Sequence, residues 1–228
     1  MSQTRKKALI VGVGPGLSAS VARKLFKAGY GVALAARDIA KLAGLAKETQ
    51  AEAFACDATQ PEQVERLFAQ AGAPDVVIFN AAGRARGPIA SLKPEEVREA
   101  LMANAFAAFL VGQAAAKVMT PRGTGTILFT GASASVKGFA GSAPFAMGKF
   151  AVRGLSQSLA RELGPKGIHV AHVIIDGGIR SEANPNPPDQ PDSRLEPDAI
   201  ADVYLHLIAQ HRSAWTHEVD LRAWTEPF

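Results

Sequence analysis

The strongest constraint on this chain is that short, continuously apolar runs alternate with segments of helical periodicity. The runs are ALIVGV (Ala8–Val13), VALAAR (Val32–Arg37), EAFACD (Glu52–Asp57), DVVIFNAAG (Asp75–Gly83), TILFTG (Thr126–Gly131) and IHVAHVIID (Ile168–Asp176). Strands that are apolar on both faces belong to a parallel sheet covered on both sides, and the helices between them supply the cover. Leu17, Val21 and Leu25 recur every four residues, and AGYG stops that helix. Pro61 and Glu62 open another helix, with Val64, Leu67 and Phe68 on its apolar face. Pro94, Glu95 and Glu96 open a long one through Met119, since proline and acids favour a first turn. A further helix, Ala143 to Leu163, carries Val152, Leu155 and Leu159 on one face and ends at Gly164-Pro165. WTHEVDL (Trp215–Leu221) alternates, as a strand exposed on one side does. The expected fold is a single α/β domain over residues 1–228: Rossmann-like, doubly wound, with a mostly parallel seven-stranded sheet and helices on both faces.

Composition narrows the class. With 47% hydrophobic residues in 228, the chain can bury a large core. The single cysteine, Cys56, allows no intrachain disulfide, which suits a cytoplasmic protein. No apolar run reaches membrane-spanning length, so no membrane partner is expected. The basic start, MSQTRKK, runs into a first strand and lacks a cleavage pattern. Net charge is +4, with no basic tract beyond Arg5, Lys6 and Lys7. Nucleic acid is therefore not an expected partner, whereas an anionic small ligand suits the mildly basic surface. His169 and His172 are three apart on a strand and face opposite ways, and His206 and His211 miss helical spacing, so no metal is expected. Residues 181–197, SEANPNPPDQPDSRLEP, are too rich in Pro, Asn and Asp for regular structure. They form either a lid over a site or a plain connector.

Between the first run and the first helix lies VGVGPGLSAS. Gly12, Gly14 and Gly16 let the backbone turn tightly and approach a ligand, and the helix that follows aims its free N–H groups at a phosphate. The spacing, G-x-x-x-G-x-S, differs from the common GxGxxG, and Ser18 stands where a third glycine would permit close packing. The second run ends Ala36-Arg37. An acid there would bind the ribose hydroxyl of NAD, whereas Arg37 pairs with a phosphate, which favours NADP(H) over NAD(H). Asp38 is better placed to cap the next helix.

Taken together, these features resemble the short-chain dehydrogenase/reductase family over nearly the whole chain. The glycine turn is similar to T-G-x-x-x-G-x-G, with Val11 for Thr and Ser18 for the last Gly. CDAT places Asp57 where the family contacts adenine, and NAAG (Asn80–Gly83) stands for N-N-A-G. Asn104 falls at the family's active-site asparagine, and IIDGGIRS resembles the nicotinamide loop, with Asp176 for Pro and Ser181 for Thr. The resemblance implies coenzyme contacts at Gly12, Gly14, Gly16, Leu17, Arg37, Asp57, Ala58, Asn80, Ala81, Lys149, Gly177 and Ile179. It also implies hydride transfer between NADPH and a carbonyl or polarised C=C substrate, and pairing of the two long helices in a homodimer or homotetramer.

The departure lies in the signature S…Y-x-x-x-K. Here it reads Phe145-Ala-Met-Gly-Lys149, and the serine position, about thirteen residues earlier, falls on Ala132. A shift of one residue would bring in Ser133. The candidate catalytic residues are thus Lys149, Asn104 and Ser133. Ser135, Ser142 and a water held by Asn104 and Lys149 are further proton sources. Losing a positioned general acid typically costs ~10²–10⁴-fold in rate. Neither of the two tyrosines, Tyr30 and Tyr204, is placed to replace it. Three readings stay open: an oxidoreductase with a substitute proton source, an NADP-binding protein with little turnover that acts as sensor, regulator or partner subunit, and a structural subunit that associates with an active relative through its helices. Phe139 and Phe145 suggest a small apolar substrate. Arg84 and Arg86 after NAAG suit an anionic group as well as they suit plain exposure.

Overall fold

The fold was obtained as a computed structural model, which describes residues 5–226. Seven strands form one sheet in the order β3-β2-β1-β4-β5-β6-β7. They are β1 (Lys7–Val11), β2 (Gly31–Ala36), β3 (Glu52–Ala55), β4 (Val76–Phe79), β5 (Gly125–Thr130), β6 (Ile168–Asp176) and β7 (Glu218–Arg222). Every neighbouring pair is parallel, β7 included. The helices are α1 (Leu17–Lys27), α2 (Ala43–Thr49), α3 (Pro61–Ala71), α4 (Pro94–Leu101), α5 (Ala107–Met119), α6 (Ala143–Leu163) and α7 (Pro197–Ala209). α1, α2 and α7 cover one face, where Leu25, Leu34 and Tyr204 are buried, and α3, α5 and α6 cover the other, over Phe79 and Phe129. This is the doubly wound α/β fold that the alternating pattern predicts.

Strand order reverses between β1 and β4, and the chain leaving the carboxyl ends of these strands walls a cleft there, as in other open α/β sheets. The strands are shorter than the apolar runs that foretell them. β4 stops at Phe79, which frees Asn80–Gly83 for the cleft. Asp38 does cap the following turn, its carboxylate accepting from the Ala40 N–H at 3.1 Å. The segment after β6 closes on itself. Arg180 N–H donates to the Leu195 carbonyl at 2.9 Å, and Arg180 pairs with Glu196, so both ends are tied before α7 starts at Pro197.

One expectation needs correcting. The helix from Pro94 to Arg122 is long and apolar enough, by length and composition, to cross a membrane. Counting uninterrupted apolar runs misses it because Asn104 and Gln113 interrupt the stretch, while its charged residues are confined to its ends. Here its apolar face is taken up by the core, with Ala107, Val111, Ala115 and Met119 buried. It is also not one regular helix. Met102–Phe106 makes a π-helical turn between α4 and α5, and such turns often mark functional positions.

Candidate functional site

The glycine turn is built by close approach. Gly12 has φ +86°, and a Cβ there would overlap the backbone of Ala81. Only glycine fits. A Cβ at Gly14 or Gly16 would meet nothing within 4 Å, so those two glycines leave the cleft open rather than relieve a clash. Gly16 precedes α1 and no side chain caps that helix, so its first N–H groups remain available to an anion. Ser18 does more than fill the place of a glycine. Its buried hydroxyl accepts from Asn80 Nδ2 at 2.6 Å and donates to the Gly12 carbonyl at 3.3 Å, locking the turn to the end of β4.

These elements wall a cavity of about 1010 Å³ that brings together Gly12, Gly14, Gly16, Leu17, Arg37, Asp57, Ala58, Asn80 and Ala81. Asp57 is braced from its own loop, its Oδ1 accepting from the Thr59 N–H and hydroxyl at 3.0 and 2.8 Å. Cys56 beside it is buried, and burial followed by the Asp57 charge raises its thiol pKa to about 11, so it stays a packed thiol. Lys149, Gly177 and Ile179 lie instead on a second cavity of about 680 Å³. Leu17, Asn80, Ala82, Arg84 and Arg86 border both, which makes one continuous cleft.

The second cavity holds the altered signature. Phe145 and Ala132 line it, and neither carries a hydroxyl. Ser133, Ser142 and Lys149 also line it, whereas Ser135 is fully buried. Ser135 Oγ accepts from the Ala132 N–H at 3.2 Å, which fixes the turn that presents Ala132 and Ser133. Lys149 is 4% exposed, and its ammonium donates to the Thr130 carbonyl at 2.8 Å. Burial first, and then the charge of Arg84, lower its pKa to about 8. The Arg84 guanidinium lies 4.3 Å from the Phe145 ring centroid. Tyr204 is shut behind the sheet, its hydroxyl 2.7 Å from Thr130 Oγ1 and its pKa pushed up by burial. Tyr30 packs with the cluster under α1.

Asn104 sits in the π-helical turn and is fully buried. Its Nδ2 donates to the carbonyls of Gly83 and Ala100, each at 2.7 Å, and its Oδ1 is buried without a partner. A Cβ on Gly148 would come within 2.6 Å of the Asn104 Cβ, so Asn104 packs one residue from Lys149. Of the segment 181–197, Asn184 borders the second cavity, where its amide donates to the Ile179 carbonyl at 2.9 Å.

One buried polar chain escapes local inspection of the sequence. His172 Nδ1 is 2.9 Å from Glu218 Oε2, its Nε2 is 3.4 Å from Ser135 Oγ, and Glu218 takes a two-pronged pair from Arg153. Burial lowers the His172 pKa more than Glu218 raises it. A Cβ on Gly131 would overlap the His172 ring, so that glycine makes room for it. The chain braces the turn of Ala132 and Ser133 from behind. In the sequence, His172 stands out only as one of five histidines, because its partners lie 37 and 46 residues away. No group of three or more His, Cys, Asp or Glu gathers for a metal among the described residues.

A fold with this strand order, a glycine turn before α1 and a lysine of α6 on the adjoining cavity defines a dinucleotide-dependent oxidoreductase class. Residues 6–191 match the short chain dehydrogenase family, and the chain belongs to that family. It is 33% identical over 189 residues to the cyclic-di-GMP-binding biofilm dispersal mediator protein of Escherichia coli (strain K12), covering 80% of this chain and 76% of that one. A short-chain dehydrogenase from Rhodopseudomonas palustris superposes with a TM-score of 0.84 at 32% identity, over 97% of this chain and 100% of the other. A metagenomic short-chain oxidoreductase in complex with NADP gives 0.84 at 29% identity, over 96% of each.

Proposed function

We propose that the chain is an NADP(H)-dependent oxidoreductase that moves hydride between NADPH and a carbonyl or polarised C=C substrate, with FxxxK in place of YxxxK. The observation that carries this is the continuity of the two cavities, with the glycine turn, Ser18–Asn80 and Arg37 on the first and Lys149 on the second. The open faces of Gly14 and Gly16 and the uncapped start of α1 fit a dinucleotide pyrophosphate. Arg37 fits its 2′-phosphate. NADPH, when bound, supplies the hydride. The protein must then deliver a proton, with Phe145 in place of the signature's Tyr and Ala132 or its neighbour Ser133 at the serine position. Lys149, with a pKa near 8, is protonated at neutral pH and close enough to it to act as an acid. Its ammonium keeps one N–H on the Thr130 carbonyl and offers another to the alkoxide or enolate oxygen, directly or through water positioned by Asn104. Ser133 borders the same space and can carry the proton. An enolate from C=C reduction can also be protonated by water and needs the missing phenol less.

The second reading is an NADP-binding sensor, regulator or partner subunit with little turnover. It is favoured by Phe145 in place of the proton-donating Tyr, and by a relative that is named for what it binds. A cytoplasmic homodimer or homotetramer, with neither membrane nor nucleic acid as partner, goes with either reading. The exposed Phe109 of α5 and the exposed Met147 and Phe150 of α6 supply an apolar surface for pairing. The test is NADPH binding by fluorescence alongside NADPH oxidation with ketones, aldehydes and enones. Turnover that is lost in Lys149→Met supports the enzyme. Tight binding with turnover only in Phe145→Tyr supports the second reading.

A further inference from the structure

The second cavity is strongly one-signed. Three cationic side chains border it, Arg84, Arg86 and Lys149, and none of its lining residues is Asp or Glu. Arg84 makes no hydrogen bond or ion pair among the described residues. Its guanidinium lies against the buried face of Phe145, a ring that borders this cavity and not the coenzyme one. This is a cation–π contact, and with no hydrogen bond made among the described residues the Arg84 N–H groups remain available to an acceptor. Burial and the charge of Arg86 both work against the Arg84 cation, and Arg84 in turn depresses Lys149. Arg84 and Arg86 also border the first cavity, where Glu96 and Glu99 lie, but within the second cavity no acid faces the three cations.

The segment that carries these arginines is held in place. Ala85 is buried between them, and the Gly87 N–H donates to the Gly141 carbonyl at 3.0 Å, joining this loop to the one before α6. Phe139 of that second loop borders the same cavity. From this arrangement we infer that the substrate carries a carboxylate next to its reacting carbon and an apolar body beyond it. The fork of Arg84, resting on Phe145, grips the carboxylate, and the body lies toward Phe139. Phe145 then has a use besides filling the place of a tyrosine: its ring is a platform for a guanidinium. This names the substrate class of the site proposed above and rests on that reading for the reaction, but not for the binding.

The experiment is calorimetric binding of phenylpyruvate and cinnamate, each against its methyl ester, with and without saturating NADP⁺. The acids should bind at least about tenfold more tightly than the esters, because a fork-to-carboxylate pair is lost on esterification. Their affinity should fall from 50 to 500 mM salt while that of the esters holds. Arg84→Gln should remove about tenfold or more of acid affinity and leave ester affinity within about twofold. Arg84→Lys should recover only part of it, since the charge returns without the fork. Equal binding of acid and ester, equal loss of both in Arg84→Gln, or no binding of either acid at millimolar concentration overturns the inference. Acid-selective binding without NADPH oxidation refutes the enzyme reading and leaves this one standing, whereas turnover that prefers the esters does the reverse.

Discussion

At the glycine turn, Gly12 touches Ala81, and Ser18 ties Gly12 to Asn80. At the other end of the cleft, Phe145 and Ala132 line the cavity with no hydroxyl, and Arg84 and Lys149 lie about the same ring. The first region is constrained by backbone packing at Gly12, where an added Cβ would overlap Ala81. The second is constrained by the chemistry of a few side-chain tips, which can be exchanged while helix and sheet stay as they are. On the proposed function, coenzyme handling and proton delivery therefore rest on different physics in one cleft, and a chain can keep the first while altering the second.

The largest expected effect would break this contrast by restoring the second region. Ala132→Ser with Phe145→Tyr should raise NADPH-dependent ketone reduction by about 10²–10⁴-fold, read as kcat/KM, with NADPH affinity nearly unchanged. A loss of coenzyme binding in that variant would show the two regions to be coupled. The reverse probe is Gly12→Ala. Left-handed backbone and overlap with Ala81 should cost roughly 2–4 kcal/mol in denaturant unfolding and abolish NADPH binding.

Lys149 gives the next effect, and its sign follows from its depressed pKa. Between about pH 8 and the unfolded value of 10.5 the unfolded chain binds more protons than the folded one, so stability rises across that window. Below pH 8 the buried ammonium is a standing cost. The stability of wild type minus that of Lys149→Met should therefore rise by roughly 2–3 kcal/mol between pH 7.5 and 10.5 in urea titrations. A flat difference would mean that the cleft solvates Lys149 better than its burial implies. The smallest effect sharpens the coenzyme half alone. Arg37→Ala should weaken NADPH about tenfold and leave NADH within about twofold in fluorescence titrations, because only NADPH presents a 2′-phosphate to a guanidinium.

Much of the fold is legible locally. The six continuous apolar runs become strands, and α6 begins and ends at the residues its periodicity and Gly164-Pro165 mark. VGVGPG, NAAG and FxxxK are readable because each is a short contiguous segment recognised by residue type and spacing alone. The parallel pairing of β7 with β6 is less so, because alternation specifies a half-exposed strand and not its direction. The π-helical turn at Asn104 is hidden inside an unbroken helical pattern.

What the sequence determined by itself is the layered α/β architecture, the glycine turn between β1 and α1, and Phe145 four residues before Lys149. Burial period, glycine placement and side-chain identity are local properties, and they survive without coordinates. Tertiary structure alone decided that Ser18 locks the turn to Asn80, that His172 and Glu218 brace the turn of Ala132, and that Arg84 lies over the Phe145 ring beside a cavity bordered by three cations and no acid. Those contacts join residues from 37 to 62 positions apart. Electrostatic and hydrogen-bond energies depend on distance and burial in space, which no single segment encodes.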